Sequence, residues 1–417
     1  NKFIVIILLF LYFKITMKNN KLLFIILLLL SVTYFISQFY RVSLGVVAID
    51  IARDLNLNSE QLGRLGGIFF LSFALTQIPL GILLDKYNPI NVILIMLIFI
   101  FLGSLLLSIS DKYYLVMLAR TLQGIGCGVC LMGPLVILTK IFSSKDFSFY
   151  SGIIMCLGGL GALVATEPFY MLVKTTNWNQ AFFFTSIVII VLIVSLFIFF
   201  PKKKINQKKI KTDYNLSAFK QIVLNKNFLL MLPMSMFGYA SFAFILTLWG
   251  GRYLDQVYEV NDEKISIILM LMALFWSVGS LLYGYLEKKL RKKKIIIIIS
   301  AVIVSLFLLL LSLKIVNSIL FLMIMFSFMG LFGGFTLVLL SHYRALFNEN
   351  IIGKVLTSAN LFNFSGVFLI QWITGVIIHH GAYTFNFSDQ LSFSFAFLLV
   401  IILLLFSTYL YSKTDEV

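Results

Sequence analysis

Long apolar stretches alternate with short polar turns along almost the whole chain. Windows of about twenty apolar residues, the length that an α-helix needs to cross the hydrocarbon core of a bilayer, recur about twelve times. Their approximate cores are residues 22–48, 62–84, 90–109, 114–140, 147–173, 181–200, 228–250, 265–286, 295–313, 317–341, 353–378 and 392–411. The pattern predicts an all-α membrane protein with twelve transmembrane helices.

One long polar stretch divides these segments into two sets of six. We therefore predict an N-terminal six-helix bundle over residues 17–200, a basic cytoplasmic linker over 201–226 and a C-terminal six-helix bundle over 227–417. Residues 1–16 precede Met17 and hold too few apolar positions to cross a bilayer. We expect them to be an upstream extension or a tail.

Composition and charge agree with a membrane protein. The chain is 60% hydrophobic and only 12% charged, with a mean hydropathy of +1.02, which excludes an ordinary soluble composition. The apolar runs are also too long for the alternating strands of a β-barrel. Basic residues are concentrated on one side, with about 22 Lys and Arg in the segments on the side of the termini and about 7 on the other. This asymmetry predicts a cell (inner) membrane protein with both termini in the cytoplasm, and it accounts for most of the net charge of +16 without a nucleic-acid partner.

Two sequence features occur once in each half of the chain. The pair Asp85-Lys86 follows the second apolar segment, and an acid-base pair at 287–288 follows the eighth. Likewise, "GIGCG" from Gly124 in the fourth segment corresponds to "GLFGG" from Gly330 in the tenth. A repeat at a spacing of six segments predicts two pseudo-symmetric bundles.

These residues resemble the major facilitator superfamily. In that family the loop after helix two reads Gly-x-x-x-Asp-Arg-x-Gly, and Gly81, Asp85 and Lys86 keep this pattern, whereas Asn88 replaces the second glycine. The second copy, with Glu287 and the lysine after it, matches more loosely.

Two further segments carry the resemblance. "ARTLQGIGCGVCLMGP" matches the family's Arg-x-x-x-Gly-x-Gly helix through Arg120, Gly124 and Gly126, and "GGLGALVATEPFYMLV" with "NWNQAFF" is similar to its glycine-rich fifth helix and the Trp-containing turn. At the subfamily level, "YRVSLGVVAIDIARDLNLNSEQLG" resembles organic-anion and sugar-phosphate permeases and a broad group of bacterial permeases.

The resemblance implies a secondary transporter in which two bundles rock around a site near the membrane midplane. It also implies that the loop acids and bases form a latch that holds the outward-open state. This latch consists of Gly81, Asp85, Lys86, Glu287 and Lys288. Helices one, four, seven and ten line the central cavity in this family.

Three ionisable residues lie well inside the apolar segments, where charge is costly and tends to face a cavity or a partner. These are Arg41, Arg120 and Glu167, all in the outer part of the membrane by helix rise. A guanidinium matches a carboxylate or phosphate through paired hydrogen bonds, so we expect Arg41 and Arg120 to bind substrate. The alternative for Arg41 is a helix cap or a headgroup contact. We also predict an ion pair between Arg120 and Glu167 that either locks two helices or couples transport to protons.

Uncharged polar residues in the segments are further candidates for substrate binding, with helix-helix hydrogen bonds as the alternative. They are Gln77, Tyr239, Trp249, Asn360, Asn363 and Gln371. We find no cofactor motif, no metal-ligand spacing and no catalytic motif in the segments, and we expect no enzymatic activity.

The sequence therefore predicts a monomeric secondary transporter in contact with lipid. It moves a small anionic or zwitterionic organic solute by alternating access, through exchange or symport with a cation such as a proton or sodium. The alternatives are a peptide, amino-acid or nucleoside permease of the same family, and more remotely a non-transporting membrane sensor or an intramembrane enzyme.

Overall fold

A computed structural model of the chain describes residues 21–142, 144–200, 224–315, 318–347 and 349–416. Within these ranges the chain is helical and has no β-strand. Eleven helices are long and apolar enough to cross a membrane, and a bent pair of helices makes a twelfth crossing. We number the crossings α1 to α12: Leu22–Asp54, Ser59–Lys86, Pro89–Ser108, Tyr113–Ile141, Phe149–Val164 with Glu167–Thr175, Trp178–Phe199, Lys226–Tyr258, Asp262–Leu290, Lys293–Ser312, Ile319–Leu346, Ile351–Tyr383 and Asp389–Tyr411.

Each predicted apolar segment overlaps one of these crossings, so the prediction of a twelve-helix membrane protein is confirmed. Several helices extend beyond the predicted cores because their polar ends continue past the apolar window. For example, α1 ends at Asp54 and not near residue 48. The predicted extension 1–16 and residues 201–223 of the predicted linker lie outside the described residues.

Polar turn residues explain where the helices begin. Six crossings follow an Asn or Ser whose side-chain oxygen accepts a hydrogen bond from a backbone N–H of the first turn, which satisfies a donor that a helix start leaves unpaired. These residues are Asn58, Asn88, Asn177, Asn225, Asn261 and Ser388. At Asn58 the Gln61 side chain also accepts from the cap backbone N–H, which completes a capping box.

Four crossings are interrupted, which the apolar pattern does not reveal. The helical hydrogen-bond ladder breaks in α4 at Gly128 and in α10 at Gly334, and α7 contains a π-helical turn at Ile245–Trp249. In α5 the axis bends by 42° just before Glu167. Pro168 follows immediately, and because proline has no backbone N–H it cannot continue the ladder across the bend.

The packing of the crossings repeats between the two halves of the chain. In the first half α1 packs on α5, α2 on α4 and α3 on α6. In the second half α7 packs on α11, α8 on α10 and α9 on α12. Each contact therefore recurs six helices later, which gives the two pseudo-symmetric bundles that the repeated motifs predict.

The molecule has two distinct ends. We call the end at which α2, α4, α8 and α10 finish the basic face, because it carries Lys86, Lys140, Arg344 and the run of Lys and Arg at 288–294. The other end is the opposite face. Between them, the outer surface is apolar, as on α6, where Val191 and Ile198 are 58% and 65% exposed. A surface of this kind fits contact with lipid chains.

The two bundles meet near the opposite face, where α1 contacts α7, α2 contacts α11 and α5 contacts α8. Glycines allow the backbones to approach closely. A β-carbon on Gly45 would lie 2.5 Å from the carbonyl oxygen of Leu246, and one on Gly63 would lie 2.4 Å from that of Gln371. By contrast, the halves of α4 and α10 nearest the basic face, Val129–Ile141 and Thr336–Leu346, pack against helices of their own bundles.

Candidate functional site

A cavity of about 180 Å³ lies between the bundles, on the basic-face side of the glycine contacts. Both bundles contribute to its walls, through α1, α2, α4 and α5 on one side and α7, α8, α10 and α11 on the other. Most of the lining is apolar or aromatic, with a small set of hydrogen-bonding side chains. This composition is typical of a site for a small organic molecule.

Arg41 provides the formal charge of this cavity. Its guanidinium carbon lies 4.6 Å from the ring centroid of Phe73 on α2 and 4.9 Å from that of Phe364 on α11. The residue is 8% exposed. We call these three residues the arginine clamp. Because one ring comes from each bundle, the clamp joins the two halves of the protein at the cation.

The electrostatics of the clamp favour an anion. In the described part of the chain Arg41 forms no ion pair, and no Asp or Glu is among the residues that line the cavity. The ring faces attract the cation through their quadrupoles, but they do not neutralise its charge. A buried guanidinium without a carboxylate is therefore a site that a carboxylate or another oxyanion can complete through paired hydrogen bonds.

Five of the eight residues predicted to bind substrate line the cavity. They are Arg41, Gln77, Tyr239, Asn360 and Asn363. Tyr239 on α7 lies near enough to interact with the Arg41 side chain. Their role in substrate binding stays a prediction.

The other three candidates, Gln371, Trp249 and Arg120, do not line the cavity in this structure. Gln371 is fully buried and donates from Nε2 to the Thr247 hydroxyl at 2.7 Å, so it joins α11 to α7. Trp249 is fully buried and packs edge-on against Phe393 of α12. Both fill the helix contacts beyond the cavity toward the opposite face, where polar and aromatic side chains serve helix packing.

Arg120 is also outside the cavity, within the N-terminal bundle. It donates from Nη1 to the carbonyl oxygen of Tyr40 at 3.0 Å and to the Gln123 side chain at 3.1 Å, and its guanidinium carbon lies 4.6 Å from the Phe69 ring centroid. Tyr40 precedes Arg41, so Arg120 holds the backbone next to the arginine clamp.

The predicted Arg120–Glu167 ion pair is not formed, because the two side chains point to different neighbours. Glu167 is 9% exposed and contacts the hydroxyl of Ser266 on α8, so it joins α5 to the other bundle. In the same contact between α5 and α8, Lys174 forms an ion pair with Glu263 at 3.2 Å. Glu167 is therefore part of the closure at the opposite face.

The residues of the predicted latch lie at the basic face. Gly81, Asp85 and Lys86 form the last turns of α2, where Asp85 and Lys86 are exposed. Glu287 near the end of α8 accepts a hydrogen bond from Ser341 of α10 and lies 4.0 Å from the ammonium of Lys293. These contacts stay within the C-terminal bundle, and Lys288 beside Glu287 is exposed.

The sequence reasoning missed several residues of the site. Neither ring of the arginine clamp was singled out, because a phenylalanine is unremarkable in a chain with 43 of them. Gln38 and Tyr34 on α1 also line the cavity. Their spacing of three and seven residues before Arg41 places them on its helix face, and this signal was available in the sequence.

Comparisons with known proteins agree with this geometry. A family model described as Major Facilitator Superfamily matches residues 30–371. The chain is 25% identical over 157 residues to the probable sulfoacetate transporter SauU of Cupriavidus necator, an alignment that covers 38% of this chain and 36% of that protein. It is 21% identical over 283 residues to the probable L-galactonate transporter of Escherichia coli, covering 64% of this chain and 62% of that protein. The matches thus span less than two thirds of either relative.

Among solved structures, the chain resembles a bacterial homologue of the human lysosomal transporter Spinster in an inward-facing, unoccupied conformation. The TM-score is 0.76 at 14% identity, with 93% of this chain and 95% of that one covered. At this identity the similarity concerns the fold.

Proposed function

The chain belongs to the Major Facilitator Superfamily, and from this premise we propose that it is a secondary transporter that moves a small organic anion across a membrane by alternating access. The observation that carries the proposal is the arginine clamp, a buried cation without a carboxylate partner in the described ranges. The names of the two relatives, for sulfoacetate and L-galactonate, support anionic cargo of this kind.

The position of the clamp suits alternating access. An anion on Arg41 would contact the N-terminal bundle through α1 and the C-terminal bundle beside Phe364. Binding is thereby linked to the relative position of the bundles, as a rocking mechanism requires. We place the protein in the inner membrane of a cell, with its basic face in the cytoplasm. The structure, which is closed at the opposite face, is then the inward-open state.

The direct test is transport in proteoliposomes. We expect purified protein to exchange a labelled organic acid against the same unlabelled acid on the other side, after a thermal-shift screen has selected the acid. Uptake with and without a proton or sodium gradient then separates cation symport from exchange. Binding without any exchange would contradict transport and favour the membrane sensor, and binding of amines in preference to acids would contradict the anionic cargo.

A permease for amino acids or peptides is less well supported. Such substrates carry an ammonium group, which a site recognises through a carboxylate or an aromatic cage. The cavity lining, as far as the chain is described, supplies no carboxylate, and two of its rings, those of Phe73 and Phe364, already flank Arg41.

We expect Asp85→Asn to shift the balance between the two states, because in this family the loop acid stabilises the state closed at the basic face. A surface ion pair contributes up to about 1 kcal/mol, so the shift is at most several-fold. Spin labels on Lys112→Cys and Tyr383→Cys, one on each bundle at the opposite face, report the opening by double electron–electron resonance. We expect Asp85→Asn to increase the fraction with the short distance; an unchanged distribution would argue against the latch.

We propose that Glu167 stabilises the closure of the opposite face through its contact with Ser266 of the other bundle. The Ser266 hydroxyl donates a hydrogen bond to the Glu167 carboxyl and lies 2.8 Å from the carbonyl oxygen of Glu263. A side-chain hydrogen bond of this kind contributes about 0.5–1.5 kcal/mol. Because this one forms only where α5 meets α8, it favours the closed state.

We therefore expect Glu167→Ala, which removes the acceptor of this hydrogen bond, to lower the population of the closed state by about two- to tenfold. The same spin-label pair measures the change as a loss of the short distance. Glu259→Ala, at an exposed acid of the opposite face, is the control and should leave the distances unchanged. An unchanged distance distribution in Glu167→Ala would rule out this role.

A further inference from the structure

Three amide side chains lie one helical turn from the arginine clamp. Gln38 is three residues before Arg41 on α1, Gln77 is four residues after Phe73 on α2, and a third amide, Asn360, is four residues before the clamp's second ring on α11. Spacings of three and four place each amide on the same helix face as the clamp residue of its own helix. All three amides line the cavity.

The three offsets also point in one direction. α1 and α11 run away from the basic face, so residues before Arg41 and Phe364 lie closer to that face, and α2 runs toward it, so residues after Phe73 do too. At about 1.5 Å of rise per residue, the amides lie about 4.5–6 Å from the clamp along the helices. We call Gln38, Gln77 and Asn360 the amide ring.

The amide ring has unused hydrogen-bonding capacity. Across the residues that the structure describes, Gln38 and Asn360 form no side-chain hydrogen bond, and Gln77 makes one, from Nε2 to the Phe73 carbonyl oxygen of its own helix at 3.2 Å. Gln38 and Gln77 are nevertheless only 4% and 5% exposed. The amides therefore keep donors and acceptors that a ligand in the cavity can pair with.

The chemistry of an amide selects its partner. Each amide offers two N–H donors and a carbonyl acceptor, and a hydroxyl group both donates and accepts, so hydroxyls match amides better than carbonyl or ether oxygens do. The amide ring has no formal charge, so a second anionic group there would lose its hydration without a cation to replace it.

We propose that the amide ring determines specificity for a hydroxylated monocarboxylate, with the carboxylate on Arg41 and hydroxyl groups near its third and fourth carbons on Gln38, Gln77 and Asn360. This inference rests on the proposed transport of an organic anion and names its substrate class. A plain alkyl acid leaves the three amides unpaired, and a site built for hydroxyl groups rejects an analogue that lacks them.

Binding of three four-carbon acids tests the proposal, namely butyrate, 3-hydroxybutyrate and threonate, which add hydroxyl groups at constant chain length. We expect threonate to bind the full chain at least about tenfold more tightly than butyrate in isothermal titration, because each added hydrogen bond contributes severalfold. Threonine, which has an ammonium group in place of the 2-hydroxyl of threonate and lacks the hydroxyl on the fourth carbon, is expected to bind more weakly than threonate.

Substitutions distinguish the contribution of the amide ring to binding from that of the arginine clamp. Gln38→Met, Gln77→Met and Asn360→Leu keep the side-chain volume but remove the hydrogen bonds, so each should narrow the threonate-to-butyrate ratio while butyrate binding persists. The exposed Gln180→Met is the matched control and should keep the ratio. Because butyrate needs only Arg41, its retained binding shows that a variant is folded.

The outcomes distinguish the two proposals. If none of the acids binds and none is exchanged, the proposed function fails. If butyrate binds as tightly as threonate, or if all three variants keep the ratio of the unmodified chain, the carboxylate site stands and the amide ring as its specificity determinant is overturned.

Discussion

Arg41→Gln will strongly weaken binding and transport of the organic anion while the protein still folds and reaches the membrane. The guanidinium is buried between Phe73 and Phe364 and is the formal charge of the cavity in the described chain. Truncating one partner of a buried, hydrogen-bonded charge pair costs about 2–5 kcal/mol. This corresponds to a loss of affinity of about 30-fold to several thousand-fold.

A lysine at this position tests geometry as well as charge. Arg41→Lys keeps the positive charge but loses the planar fork that bonds both oxygens of a carboxylate. We expect it to recover part of the affinity, and to bind more weakly than Arg41. Isothermal titration with the selected acid gives the affinities, and exchange in proteoliposomes gives the rates.

The control lies on the same helix. Arg53 near the end of α1 pairs with Asp50 at the surface, and Arg53→Gln should leave binding unchanged within about twofold because exposed ion pairs contribute little. Equal affinities for the unmodified chain and Arg41→Gln would show that the clamp does not bind the anion.

Gly63→Ala will trap the protein in states that are open at the opposite face. A β-carbon at this position would lie 2.4 Å from the carbonyl oxygen of Gln371 and 3.2 Å from the α-carbon of Gly375, both of which are backbone atoms of the other bundle. Overpacking a tight contact costs about 1–3 kcal/mol, so the closed state should become about 5- to 150-fold less populated. Exchange should slow accordingly, because each cycle passes through closure.

Substitutions at two further glycines are controls that distinguish an effect on closure from an effect on stability. Gly126 packs against the Met96 carbonyl oxygen within the N-terminal bundle, where a β-carbon would lie 2.5 Å away. Gly126→Ala should lower the thermal stability without changing the ratio of open to closed states. Gly353 on α11 has open space beside it, and Gly353→Ala should change neither quantity.

The spin-label pair at the opposite face measures the populations directly. We expect the long distance to dominate for Gly63→Ala and the short distance for both control variants. A short distance in Gly63→Ala, at unchanged thermal stability, would mean that α2 and α11 tolerate a methyl group and that the contact does not limit closure.

The fold was predictable because membrane insertion leaves a strong trace in the sequence. Twenty apolar residues between polar turns specify a crossing, and the turn asparagines that separate the runs are also the residues that cap the helices. The interruptions of α4, α7 and α10 were not predictable, because the apolar pattern does not show which backbone hydrogen bonds form within a helix.

The site was predictable only in part, for a geometrical reason. Helix rise gives the approximate depth of a side chain along its helix, and for this reason we predicted that Arg41, Arg120 and Glu167 lie at similar levels. It does not give the direction in which each helix face points within the bundle. For that reason the sequence predicted an ion pair between Arg120 and Glu167. In the structure Arg120 faces Tyr40 inside its own bundle, and Glu167 faces Ser266 of the other bundle.

Polar residues within helices were ambiguous in a similar way. Gln371 and Asn360 belong to the same helix, yet one bonds Thr247 at a helix contact and the other lines the cavity. The difference depends on the point along α11 at which its contact with α2 ends. This point is a property of the packed bundles and not of the helix alone.

The two phenylalanine rings of the clamp affect how the unloaded protein returns from one state to the other. An uncompensated buried cation raises the free energy of an unloaded transporter that closes around it, and this cost favours one-for-one exchange over net transport. Here the faces of Phe73 and Phe364 stand in for part of the missing negative charge, by about 0.5–2 kcal/mol per ring. We therefore expect the unloaded protein to return without cargo, which would allow net accumulation of the anion along a gradient.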